Sequence, residues 1–168
     1  YIAMTAIDTL RSYIEREVFI RQSDQRIVPE TAGWIMDFRR VCLDPGFLDV
    51  FTDVFYEEFK ERYPFQVGGM EVAAIPLVTA IVMKMRERGM PVNGFFIRKS
   101  RKKEGLLRMI EGKVTNDPIV LVDDLINGGY TLDRQIKALE AHGKQVSDFF
   151  SILRFRTESA YKKYQDKN

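Results

Sequence analysis

The chain has one cysteine, one histidine and one tryptophan in 168 residues. The lone thiol, Cys42, excludes an internal disulfide framework, fits a reducing compartment and reads as a small buried hydrophobe. The lone imidazole, His142, stands before Gly143 at a helix end, where a cationic ring suits the helix dipole, so its expected role is structural. No nucleophile–base–acid triad is evident. Long apolar runs are missing too: VAAIPLVTAIVM, residues 72–83, is too short for a bilayer and is interrupted by Pro76. No signal peptide is visible, so the expectation is a cytoplasmic protein with no membrane partner. The first residue is Tyr1 rather than methionine, which leaves room for residues or a domain upstream. Neither sign of charge dominates, and a net +2 is too small to argue for nucleic acid.

What is present suits one soluble domain with a proper core: 45% hydrophobic and 30% charged residues. Residues 4–18 have helical spacing, with Ala6, Ile7, Leu10, Tyr13, Ile14 and Val18 on one face. The stretch 21–33 is a polar loop with Pro29 and Gly33, and 34–41 reads as a short strand opening on Trp34, expected in the core or on a dimer surface. Asp44 and Pro45 start a helix to about Tyr63, whose Phe47, Val50, Phe51, Val54, Phe55 and Phe59 form a core stripe. Then PFQV is a strand, GGM a turn, 71–88 a helix, 92–99 a strand and 100–112 a polar loop. Residues 119–125, IVLVDDL, are apolar up to the acids, as in a strand covered on both faces. Leu132, Ile136 and Leu139 share a helix face, 146–155 is a strand, and the polar tail from Thr157 is expected to be marginally ordered. The alternation predicts an α/β protein with a parallel sheet flanked by helices on both faces, its ligand beyond the strands' carboxyl ends.

Asp123 and Asp124 end that apolar run, and Asn127-Gly128-Gly129-Tyr130-Thr131 follow. Two adjacent carboxylates suit the vicinal hydroxyls of a ribose and can help hold a divalent cation. A loop without side chains at 128 and 129 can curl its N–H groups around an anion at a helix start. The bland alternative is a strand end and a capped turn. A second feature is RKSRKK, with five basic residues within 98–103, which fits a solvated face, a nucleic-acid patch or a lid over an anionic small ligand.

LVDDLINGGYT resembles the 5-phosphoribosyl-1-pyrophosphate (PRPP) motif of type I phosphoribosyltransferases, although that family usually has threonine-like residues where this chain has Asn127 and Gly128. Arg98-Lys99, Lys102, Gly105 and Ile110-Glu111-Gly112 are similar in spacing to the catalytic loop of orotate phosphoribosyltransferases, with Glu104 where histidine is usual. The likeness runs over roughly residues 10–155. It implies the type I phosphoribosyltransferase fold, with an N-terminal helix and small hood over 1–45 and a PRPP-binding α/β core over 46–168.

By that resemblance Asp123 and Asp124 hold the ribose and, through PRPP, Mg2+; residues 127–131 anchor the 5-phosphate. The backbone of Gly69, Met70, Glu71 and Val72 lies beside the pyrophosphate, and Arg98, Lys99 and catalytic Lys102 receive it as it leaves. A carboxylate at Glu104 repels pyrophosphate unless it helps hold magnesium. Arg26 and Arg154 or Arg156, flanking Phe155, are candidates for the base, which is orotate by resemblance. The family also implies a homodimer whose 98–112 loop is shared between subunits. The alternatives are a PRPP- or nucleotide-binding accessory domain without full catalysis, and a transferase for another base. The patch is not expected to bind nucleic acid.

Overall fold

The computed structural model describes residues 4–21, 34–100 and 109–165, so Arg26, Lys102 and Glu104 lie outside the described residues. The chain forms two compact units, Tyr1–Tyr63 and Pro64–Asn168. Among the described residues no helix is long and apolar enough to cross a membrane.

In the first unit, α1 (Ala6–Tyr13) starts on a capping box between Thr5 and Asp8. The helix expected to reach residue 18 changes character at Ile14–Val18, which is a π-helical turn. Strand β1 (Phe19–Arg21) then pairs antiparallel with β2 (Trp34–Met36). The strand expected over 34–41 stops early because the Asp37 carboxylate accepts the Arg39 N–H and starts a 3-10 turn over Phe38–Arg40. Helix α2 (Pro45–Phe59) begins where the Asp44 carboxylate accepts the Phe47 N–H at 2.8 Å, with Pro45 in its first turn. Phe47, Phe51, Phe55 and Phe59 are buried along it, and Phe55 stacks on Phe59 with ring centroids 4.6 Å apart. Cys42 is buried as expected, but Trp34 is 41% exposed, its ring 5.9 Å from that of Phe19.

The second unit is a five-stranded sheet: β3 (Gln66–Met70), β4 (Asn93–Ile97), β5 (Ile110–Gly112), β6 (Ile119–Ile126) and β7 (Val146–Arg154). Their order is β5-β4-β3-β6-β7, parallel throughout except for β5, which pairs antiparallel with β4 inside the stretch expected as loop. Helix α3 (Ala74–Glu87) joins β3 to β4 in one direction along the sheet, and α4 (Tyr130–Glu140) joins β6 to β7 in the other. Right-handed crossovers in opposite directions cover opposite faces.

Gly68 and Gly69 lie inside β3 rather than in the expected turn. Successive strand residues face opposite sides, and both sides here are full. A Cβ on Gly68 would strike the Phe95 ring, and one on Gly69 would strike Ala74 and the Val122 carbonyl. The glycines therefore serve close packing, and the turn falls three residues later, over 71–73.

The tail is also more ordered than its polarity suggests. A 3-10 turn (Glu158–Tyr161) and the short α5 (Lys162–Gln165) pack Tyr161 and Tyr164 against the cluster that holds Ile126, Leu132 and Leu139. His142 is exposed at the end of α4, its Nδ1 hydrogen-bonded to the Ala138 carbonyl at 2.8 Å, in keeping with a structural role.

Two fully buried glutamines have contrasting surroundings. The Gln66 amide donates to the Thr115 and Asp117 carbonyls and accepts from the Thr115 N–H and the Asn93 side chain, so all four of its valences are used. The Gln135 amide on α4 has no partner for either atom among the described residues. Removing one partner of a satisfied buried group strands the others, whereas replacing an unsatisfied amide removes a desolvation penalty. Gln66→Leu should therefore lose about 3 kcal/mol of stability, and Gln135→Leu should be neutral or gain about 1 kcal/mol. Urea unfolding of the two variants checks the opposite signs.

Candidate active site

Strands β3 and β6 are neighbours whose onward connections diverge, so the sheet has a crevice beyond their carboxyl ends. Short hydrogen bonds tie the segments beyond β3 and β4 to each other and to α4. The Glu71 carboxylate, just past β3, accepts the Lys99 N–H beyond β4 at 2.7 Å. Arg134 on α4 donates to the Lys99 carbonyl at 2.6 Å. Met70 is buried in the strand, the Glu71 N–H is engaged by the Ile97 carbonyl at 2.9 Å, and Val72 is exposed in the turn, where the Glu71–Val72 peptide is cis.

Asp123 and Asp124 lie in the carboxyl half of β6, both half-buried. The Asp123 carboxylate accepts the Asp124 N–H at 2.9 Å, and Asp124 accepts the Leu125 N–H at 2.8 Å. Burial pushes the Asp123 carboxyl up to about 7, assisted by a hydrogen bond with Asp124 and by its charge; the Lys99 ammonium opposes the rise. That opposition brings the first lysine of the basic stretch within electrostatic reach of the acidic pair. Among the described residues no cluster of three or more His, Cys, Asp or Glu side chains could cage a metal. A pair of carboxylates fits a Mg2+ only as a partner to phosphates that hold most of its shell.

After β6 the chain turns through Asn127 and Gly128 to Gly129, which is left-handed at φ 82° and leads into α4. Asp123, this loop, Thr131 and Phe149 line a cavity of about 200 Å³ at the start of α4. Tyr130 is 74% exposed and Thr131 is exposed. Behind the loop lies the tail. Tyr161 donates to the Ile126 and Asn127 carbonyls, and Tyr164 donates to the Gly129 carbonyl and the Asp133 carboxylate. Arg134, Tyr161 and Tyr164 carried no local signal in the sequence beyond two tyrosines three apart in a polar tail.

The remaining candidate residues divide. Arg98 half-buries its guanidinium 3.6 Å from the Glu111 carboxylate on β5, so its charge is partly answered within its own strand pair. Arg154 is exposed, 3.8 Å from Glu158. The Arg156 Nε donates to the Asn127 side chain at 3.2 Å, which brings this arginine onto the glycine loop.

An acidic pair on β6, with Asp123 lining a small cavity at the glycine-rich start of α4, has the chemistry expected of an α/β protein that takes a phosphorylated sugar. Comparison with known proteins narrows this class. The orotate phosphoribosyltransferase of Rhodopirellula baltica is 31% identical over 129 residues, 73% of this chain and 67% of that protein. That of Bradyrhizobium sp. (strain ORS 278) is 26% identical over 149 residues, 86% of this chain and 80% of that protein. The crystal structure of a phosphoribosyltransferase from Corynebacterium diphtheriae superposes with a TM-score of 0.79 at 21% identity, covering 98% of this chain and 91% of that one. No family model matches the chain. The chain belongs to the orotate phosphoribosyltransferase family.

The raised Asp123 carboxyl gives stability a definite pH dependence. Its folded pKa of about 7 lies above the ordinary value of 3.8, so the native state holds the extra proton and stability falls as pH rises between them. The slope is at most about 1.4 kcal/mol per pH unit. Asp123→Asn should flatten that fall, as urea unfolding between pH 4 and pH 8 will test.

Proposed function

We propose that the chain transfers the phosphoribosyl group of PRPP to orotate with release of pyrophosphate. The observation that carries this is the cavity that Asp123 shares with the glycine loop and Thr131, with Asp124 the next residue along β6 and the Lys99 charge acting on Asp123. The two carboxylates accept hydrogen bonds from the ribose 2- and 3-hydroxyls. Amides of the 127–131 loop, the start of α4 and the Thr131 hydroxyl hold the 5-phosphate. The anomeric carbon is then fixed between the base and the pyrophosphate.

As the base nitrogen bonds to that carbon, the bond to pyrophosphate oxygen breaks. Positive charge builds on the sugar and negative charge on the leaving group. Buried carboxylates beside the ring stabilise the first, and the cations of the 98–103 stretch stabilise the second. Magnesium, when bound with PRPP, would neutralise pyrophosphate oxygens, and Asp123 and Asp124 would help hold it by way of PRPP. Lys99 is already tied by its backbone to Glu71 and Arg134, so its ammonium is offered from a fixed base. Lys102 completes the cationic set. Arg154 and Arg156 are the candidates in this unit for the carboxylate of the base. By family likeness the active unit is a cytoplasmic homodimer that shares the 98–112 loop across subunits.

Lys102→Ala should lower turnover by about a hundredfold, the loss of one transition-state charge contact, with PRPP binding much less affected. Asp124→Asn should instead weaken PRPP binding or its magnesium-dependent turnover. A pyrophosphate-release assay with PRPP, magnesium and a panel of bases checks both, with orotate expected to be the base turned over. Calorimetric uptake of PRPP without release under any base would favour an accessory PRPP-binding domain, the reading that Asn127 and Gly128 suggest.

A further inference from the structure

We infer that Tyr161 and Tyr164 are positioning residues for the 5-phosphate: the C-terminal segment grips the glycine loop from behind and aims its amides into the cup. The inference rests on the phosphate-cup reading above and assigns the tail a part in it.

The geometry is specific. In a trans peptide, the carbonyl of one residue and the N–H of the next point in opposite directions. Tyr161 Oη donates to the carbonyls of Ile126 and Asn127 at 3.1 and 2.9 Å, and accepts the Arg156 N–H at 3.3 Å. Tyr164 Oη reaches the Gly129 carbonyl at 3.1 Å. Three carbonyls are thereby held toward the tail, so the N–H groups of Asn127, Gly128 and Tyr130 are directed away from it, toward the cavity. A loop of two glycines has little intrinsic preference for that arrangement. The Ile126 and Gly129 carbonyls also accept the Phe155 and Asp133 N–H groups at 3.0 and 2.9 Å, so there the tail reinforces the backbone, and at the Asn127 carbonyl the Tyr161 hydroxyl supplies the preference.

The grip is itself braced. The single Tyr164 hydroxyl hydrogen is shared between the Gly129 carbonyl and one oxygen of Asp133 at 2.8 Å, while Lys163 holds the other oxygen at 2.9 Å. Arg156 secures the Asn127 side chain, the one polar side chain in the 127–129 turn. Gly129 and Tyr164 fit together closely: a Cβ at position 129 would collide with the Tyr164 hydroxyl. Both tyrosines also pack their rings on the hydrophobic cluster under α4, so the hydroxyls project from an anchored base. Neither hydroxyl is required by that packing; their partners are the loop and its helix.

The test uses Tyr161→Phe, Tyr164→Phe and the double variant in the full chain, which keep the rings and remove only the hydroxyls. Calorimetry with ribose 5-phosphate should show about fivefold weaker binding per hydroxyl lost, while affinity for magnesium pyrophosphate, which occupies the other end of the crevice, changes less than twofold. In steady state, KM for PRPP should rise, with kcat and KM for orotate nearly unchanged. Unaltered ribose 5-phosphate affinity in the double variant overturns the inference. So does an equal loss for both ligands, which would mark a general structural effect. A wild-type chain that takes up no ribose 5-phosphate overturns the cup assignment and this inference together. A wild-type chain that binds it but transfers to no base overturns the transferase reading alone, and the calorimetric comparison still decides the positioning role.

Discussion

The site depends on one packing constraint: β3 and β6 must lie side by side while the chain leaves them in opposite directions. Right-handed crossovers then send α3 to one face and α4 to the other, and a crevice opens where they part. Each helix must also sit close to the sheet. Gly68 makes room for the Phe95 ring on one face, and Gly69 lets Ala74 and the Val122 carbonyl approach on the other. A side chain at either position would push apart the walls that carry Glu71 and Asp123. The fold thus determines where a ligand goes before any polar residue chooses what it is.

The polar residues then work against the fold's own stability. Burying Asp123 beside Asp124 disfavours ionisation, so the protein alone retains a proton there near neutral pH. A sugar diol or a cation carried with its phosphates favours the ionised pair. The charge of Lys99 opposes that proton, and its backbone is held at both ends, by the Glu71 carboxylate through its N–H and by Arg134 through its carbonyl. The ordering entropy of the first lysine is spent in folding, not in binding.

Much of this was legible in the sequence, for identifiable reasons. The apolar run of β6, the 3.6-residue spacing of α4 and the acidic pair between them are local patterns, and each fell where expected. The Gly68-Gly69 pair misled because glycine marks both turns and close approaches, and only the neighbours, Phe95 and Val122, distinguish the two. Strand β5 was hidden in a basic, glycine-containing stretch because its pairing with β4 is an antiparallel edge contact that needs few apolar residues. Arg134 was missed because what it binds is a backbone carbonyl, which leaves no trace in side-chain patterns. The tail was read as loosely ordered because its composition is polar; its two tyrosines find their partners 34 and 35 residues earlier in the chain.

The same tail bears on how the loop can hold an anion. The loop carries Asn127 and two glycines, and the Asn127 side chain accepts from Arg156. Fewer side-chain donors in the turn shift the holding of an anion onto backbone N–H groups, and glycines make those groups adaptable but entropically expensive to fix. Hydroxyls from Tyr161 and Tyr164 lower that cost from outside the loop, through the carbonyls of Ile126, Asn127 and Gly129. A side chain at position 129 would be incompatible both with the left-handed turn and with the Tyr164 hydroxyl, so the loop and the tail constrain each other's sequence. The anion site is then a property of two segments far apart in the chain, and a motif confined to the loop describes only half of it.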